Sequence, residues 1–211
     1  MQFRLLYEGE LLPSGNQCRP SEKHAIRRSF HPQLRRLWSA EKNLRELAKR
    51  RCEEDPRPVN QRPNPITDQE RFDFGIKATG ERWSRAGFEL VPLVTDEMAL
   101  RCSLDVLLLR PELGQKQILQ RGGTDGQIKT LFDALRLPES LDETGRVVPQ
   151  IGETPFFCLL KDDRLITEVR VTTDRLLLLP NQGNVKPNDC LAVIHVTLSH
   201  KNARAFDNWF G

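Results

Sequence analysis

The apolar residues of this chain switch from strand-like alternation to helix-like recurrence and back, and that order restricts the architecture more than any single motif. The opening "FRLLYEGELLPSG" alternates loosely and stops at a Pro-Ser-Gly turn signal, which predicts a strand over Gln2 to Leu12. Pro32 suits a first helical turn, and Leu34, Leu37, Trp38, Leu44, Leu47 and Ala48 follow at helical spacing, predicting one amphipathic helix. From Glu53 to Gln69 the chain is rich in proline and polar residues and reads as a loop, too long for a tight connection. "GFELVPLVTD" then reads as a strand, and "ALRCSLDVLLLRPE" as a buried strand. A second amphipathic helix follows in "GQIKTLFDAL", with Leu131, Phe132 and Leu135 on its buried side. "LDETGRVVPQIGETP" is a loop. "FFCLLKDDRLITEVRVTTDRLLLLP" predicts one or two strands around an acidic turn at Asp162 and Asp163. "CLAVIHVTL" is a strand, and "SHKNARAFDNWF" a terminal helix that Ser199 could cap. Strand, helix, strands, helix, strands is an α+β order: helices packed against a mixed sheet, in one domain spanning the 211 residues.

A chain that is 38% hydrophobic and 29% charged has enough apolar content to fold and is not disordered by composition. Its N-terminal segment carries Arg4, Glu8 and Glu10 among its apolar residues, which excludes a signal-peptide core or a membrane span there and predicts a cytoplasmic location. The cysteines, Cys18, Cys52, Cys102, Cys158 and Cys190, are widely spaced and never form CxxC. The histidines, His24, His31, His195 and His200, add no zinc-finger spacing, so neither a disulfide nor zinc is expected. Cys102 and Cys158 fall in apolar runs and read as buried thiols.

The net charge of +3 says little, but its distribution says more, because Arg19 to Arg51 is strongly basic. Arg35, Arg36, Lys42, Arg45, Lys49 and Arg50 form a polar helix face that either follows a phosphate backbone or is simply solvated. Of the tryptophans, Trp38 fits the apolar stripe of its helix. Trp83, between Arg82 and Arg85 in a predicted loop, is a better stacking platform for a base; Trp209 is a third aromatic of that kind.

The chemistry concentrates in "RGGTDGQIKTLFDALRLP", where Asp125, Lys129 and Asp133 follow at four-residue steps and project from nearly one helix face. A lysine and an aspartate one turn apart also form a routine surface ion pair. In "CLLKDDRLITEV", two adjacent carboxylates interrupt apolar sequence, and strand alternation allows only one of them to face a given site. A carboxylate from a helix start and one from a strand can hold Mg²⁺ with several waters retained, and a nearby lysine can neutralise a developing oxyanion. That combination suits phosphodiester hydrolysis.

"GGTDGQIKTLFDAL" followed by "KDDRLITEV" resembles the RusA family of Holliday junction resolvases, whose signature is roughly G-D-x-D-N-x-x-K-x-x-x-D-A-L with a later D-D-x-x-[IV]. Asp125, Lys129, Asp133, Ala134 and Leu135 match at the family's spacing, as do Asp162 and Asp163, and the early "LLPSGN" is similar to the family's proline-bearing first strand and turn. The resemblance implies a homodimeric, Mg²⁺-dependent (Mn²⁺ as substitute) endonuclease of α+β fold acting on branched DNA. It makes Asp125 and Asp163 metal ligands and Lys129 the charge-stabilising group. Asp133 becomes a supporting residue, and Asp162 a supporting carboxylate or substitute ligand.

Gly123 stands where the family has its first aspartate, and Gly126 where it has asparagine. Losing a carboxylate weakens a Mg²⁺ site. Either Asp162 fills the gap or the chain keeps a DNA-binding shape without the cut. A protein-interaction module, its basic helix serving an acidic partner, is the reading without nucleic acid.

Overall fold

The computed structural model describes residues 1–14, 19–53, 67–98, 100–111, 123–177, 186 and 188–200. Six strands and four α-helices follow in the order β1 (Gln2–Glu10), α1 (Pro20–Ala40), α2 (Lys42–Glu53), α3 (Asp68–Arg82), β2 (Leu90–Val94), β3 (Leu100–Arg110), α4 (Gly123–Leu135), β4 (Phe156–Leu160), β5 (Ile166–Arg175) and β6 (Asp189–His200). The main sheet runs β1-β6-β3-β5, and β2 and β4 form a separate parallel pair. β6 pairs antiparallel with β1 and β3, whereas β3 and β5 are parallel, so the sheet is mixed and the fold α+β as the element order predicts. Parallel pairing of β3 with β5 needs a long crossover, and α4 and β4 lie within it.

Register puts alternate residues of the central strands on one buried face. Cys102, Leu104, Val106 and Leu108 of β3 lie beside Ala192, Ile194, Val196 and Leu198 of β6, all 1% exposed or less. Against that face α1 lays Ile26, Phe30, Leu34 and Trp38, one residue per turn, and α4 adds Leu131, Ala134 and Leu135. Trp38 is therefore core, as its place in the stripe predicts. Cys102 and Cys158 are buried, and burial pushes both thiols up to about 12.

The single basic helix expected from Pro32 onward is two helices. α1 begins at Pro20, with Arg19 in the left-handed region (φ 43°), and carries Pro32 inside it. Extended backbone at Glu41 (ψ 120°) then ends α1 before α2 begins. Leu37 and Leu44 are seven residues apart, two whole turns, so the apolar period passes through the joint and cannot reveal it. The reason for the bend is tertiary: α2 turns to pack on α3.

Helix α3 has no counterpart in the expected layout, which placed Asp68 and Gln69 in a loop; residues 54–66 of that loop lie outside the described ones. Its start is nonetheless written as a capping box. Thr67 Oγ1 accepts from Glu70 N (3.1 Å), and Glu70 Oε2 accepts from Thr67 N (2.9 Å). Trp83 is the C-cap of this helix rather than a loop residue. At the other end of the chain, Ser199 and His200 belong to β6 instead of capping a terminal helix. Residues 201–211, including Trp209, lie outside the described ones. Among the described residues no helix is long and apolar enough to cross a membrane.

The α2–α3 contact is so close that a Cβ on Gly75 would sit 1.7 Å from the Ala48 carbonyl oxygen. Gly75→Ala must force the helices apart and is expected to destabilise the protein by on the order of 3 kcal/mol in urea unfolding.

Two buried histidines tie α1 to β4 and its approach. His31 Nδ1 accepts from Phe157 N (2.9 Å), which leaves the Nε2 proton to donate to Gly152 O (3.0 Å). His24 stacks beside Phe156 and Phe88, and neither of its ring nitrogens has a hydrogen-bond partner among the described residues. Burial, reinforced by Arg28 and Arg27, lowers its pKa to about 4. Between about 4 and the ordinary histidine value of 6.5 the unfolded chain binds more protons at this site. Stability is therefore complete above that window and falls as the pH drops through it, by at most about 3 kcal/mol from His24. Urea midpoints measured from pH 7 to 4 should show the fall, and His24→Phe should flatten it.

Candidate functional site

An open cleft of about 370 Å³ lies between α4 and the start of β5, lined by Asp125, Ile128, Lys129, Phe132, Asp133, Asp163 and Val171. It brings together the three charged residues of α4 and the second carboxylate of the Asp-Asp pair, thirty residues further along the chain than Asp133.

The helix that carries three of these residues is seated by the segment after β1. Gln127 Nε2 donates to Leu11 O (2.6 Å), Thr130 Oγ1 donates to Leu12 O (2.9 Å), and Ser14 N donates to Gly126 O (3.0 Å). Pro13 rests directly on Gly126, where a Cβ would meet the proline ring at 3.0 Å. Gly126 is thus a point of close approach inside the first turn of α4, not a residue of a glycine loop, because α4 begins at Gly123. Asp125, in that same first turn, has its charge favoured by the helix dipole. Of the residues expected on the buried side, Leu131 and Leu135 are buried, but Phe132 is only partly so and forms cleft wall.

The charges divide into those already paired and those facing the cleft. Asp133 accepts from Lys23 Nζ at 2.5 Å, with both side chains about 15% exposed or less, and has Arg136 Nε at 3.9 Å. Lys129, which an ordinary helix pair would tie to Asp125 or Asp133, has no carboxylate within ion-pair distance among the described residues. Asp162 and Asp163 lie at a turn rather than in a strand, and their side chains are close enough to interact. Asp162 caps the 3-10 turn Asp163–Leu165, and its carboxylate accepts from Arg164 Nε (3.0 Å), Nη2 (2.7 Å) and N (2.9 Å). Those bonds from the Arg164 side chain and backbone hold the Asp162 carboxyl well below the usual carboxylate range. Asp162 does not line the cleft; Asp163 does.

The carboxylates facing the cleft without such a partner are Asp125 and Asp163. No cluster of three or more His, Cys, Asp or Glu side chains able to hold a metal occurs among the described residues. The donors present do not form an all-protein cage. A Mg²⁺ that keeps most of its waters is usually bound through one or two carboxylates and otherwise through water and substrate phosphate.

The basic residues of the second helical half are partly consumed by packing. Arg45 lies over the Phe72 ring (4.9 Å) and donates to Gln69 Oε1 (3.2 Å), and Lys49 pairs with Glu46 (2.9 Å) and Asp68 (2.8 Å). Arg50 is exposed on the same helix. Arg35, Arg36 and Lys42 are exposed and join no ion pair among the described residues. Arg35 and Arg36 lie about 18 Å along α1 from Lys23, at 1.5 Å per residue, and thus outside the cleft. Arg82 pairs with Glu97, and Arg85 follows Trp83 in the turn after α3.

Lys23 is the site residue that sequence reading missed. It sat in plain view as one more cation of a basic stretch, and only the docking of α1 on α4 gives it a partner. Removing it leaves a largely buried carboxylate with only the longer Arg136 contact, so Lys23→Met should cost about 2 kcal/mol, and the loss should shrink in a Lys23→Met/Asp133→Leu double variant. No family model matches the chain, and neither a curated protein nor a solved structure is significantly similar to it.

Proposed function

We propose that the cleft is the centre of a Mg²⁺-dependent endonuclease of RusA type that cuts branched DNA as a homodimer. The observation that carries this reading is the meeting in one cleft of Asp125, Lys129 and Asp163, the residues that match the two short motifs. Asp125 and Asp163 would hold the ion. When bound, it supplies positive charge against a phosphodiester in transition and lowers the pKa of a water.

The chain's own residues do the rest. Lys129, with no carboxylate within ion-pair distance among the described residues, reaches toward the same phosphate and neutralises charge that develops on it. Ile128, Phe132 and Val171 form an apolar wall that limits water and strengthens these interactions. Asp133, neutralised by Lys23, adds little negative charge and serves to hold α4 on α1. A two-fold dimer would present equal clefts to the equivalent strands of a junction. The exposed cations Arg35, Arg36 and Lys42 would meet duplex arms away from the cut.

A second reading, DNA binding without cleavage, is favoured by the small ligand set: Gly123 stands where the family's first aspartate would be, and Asp162 is held by Arg164. Labelled four-way junction DNA incubated with Mg²⁺ or Mn²⁺ separates the two. The nuclease reading expects cutting by the unaltered chain and at least a hundred-fold loss in Asp163→Asn and Lys129→Met, roughly the cost of removing one transition-state contact. Cutting by Gly123→Asp alone would select the non-cleaving reading, and neither cutting nor binding by any variant would reject both.

A further inference from the structure

We infer that Trp83 is a stacking platform for an unpaired nucleobase, placed beside the cleft. The ring is only partly buried, its inner side packed against the cluster of Phe88, Phe156 and Leu137. Three cations lie over the ring, Lys161 Nζ at 5.1 Å from its centroid and the guanidinium carbons of Arg82 and Arg85 at 5.7 and 5.9 Å, so a base that stacks there takes the place of one of these flexible side chains and leaves it to meet a phosphate. An aromatic anchored on one side and ringed by positive charge is the arrangement that accepts a base on the ring and its phosphates on the cations.

Two of the cations have exposed acidic partners, Glu97 for Arg82 and Asp96 for Lys161. Exposed pairs of this kind contribute little to stability, so a polyanion competes with them readily. Arg85 joins no ion pair among the described residues and is a cation over the ring without a carboxylate partner there. Its position relative to the cleft follows from the chain itself. Lys161 and Asp163 are two residues apart, a backbone span of at most about 7 Å, so a strand whose base rests on Trp83 passes the carboxylates within a few nucleotides.

The occupant is a single-stranded stretch of nucleic acid rather than intact duplex, because a base inside a duplex has both faces stacked already. This subsite depends on the nuclease reading only for the strand's onward path to the cleft, and its test uses binding alone. Short labelled oligothymidylate and a duplex of equal length are titrated with the full chain in EDTA, followed by fluorescence anisotropy. The single strand is expected to bind more tightly. Trp83→Ala should weaken that binding about ten-fold or more, Trp83→Phe should keep most of it, and Arg85→Glu, a change at a half-buried turn residue, should weaken it even if Trp83→Ala fails to fold.

Equal affinity for duplex and single strand, or single-strand binding unchanged in Trp83→Phe, Trp83→Ala and Arg85→Glu alike, would overturn the inference. Because no cleavage is read, loss of the nuclease reading leaves this result interpretable. Conversely, single-strand binding that is unchanged in a folded Trp83→Ala removes the subsite and spares the cleft.

Discussion

The buried guanidinium of Arg27 fastens the helix that carries the cleft. Its side chain is 1% exposed, and it donates to three carbonyl oxygens: Asp133 (2.7 Å), Glu143 (2.9 Å) and Arg136 (3.3 Å). Two of these belong to the last turn of α4 and the residue after it, where a helix leaves carbonyls without internal partners and favours a cation. The Glu143 carboxylate, 3.7 Å away, offsets the charge. Burying an arginine is costly, and here the cost is met by helix-end carbonyls, so α1, α4 and the turn Leu141–Thr144 are obliged to meet at one point. With its far end seated by Leu11, Leu12 and Ser14, α4 is held at both ends, and the side chains it presents to the cleft are fixed by that framework.

The cleft is then defined by which charges the framework has already consumed. Four acidic residues stood out by position, and two of them are engaged elsewhere: Asp133 by Lys23 and Asp162 by Arg164. What remains is Asp125 and Asp163 with Lys129 between apolar walls, a smaller and more selective set than the motifs suggest. Gly126 belongs to the same pattern. Pro13 packs against it so closely that a Cβ would meet the proline ring at 3.0 Å.

Much of the architecture was legible. β1 announces itself by loose alternation, β3 by a near-continuous apolar run and β6 by another apolar segment, α4 by its apolar stripe, and the acidic turn before β5 by its place between two apolar runs. The pairing of Asp125, Lys129 and Asp163 could be anticipated because helix periodicity puts the first two on one face and the motif supplies the third. The bend at Glu41 was not legible, since the apolar period continues across it in phase. Helix α3 was hidden by its proline-rich approach, although Thr67 and Glu70 carry its capping signal. The strand that continues through Ser199 was masked by a serine that caps helices as readily as it ends strands.

Sequence alone determined the local elements, the burial of Trp38 and the cysteines of the apolar runs, and the grouping of charge along α4, because these follow from side-chain period and volume within a few turns of chain. Only tertiary structure decided the order of strands, the joint between α1 and α2, and the pairing of Lys23 with Asp133 and of Arg27 with the end of α4. Those contacts join residues more than a hundred positions apart, and no local pattern encodes which cation a buried carboxylate or helix terminus will meet.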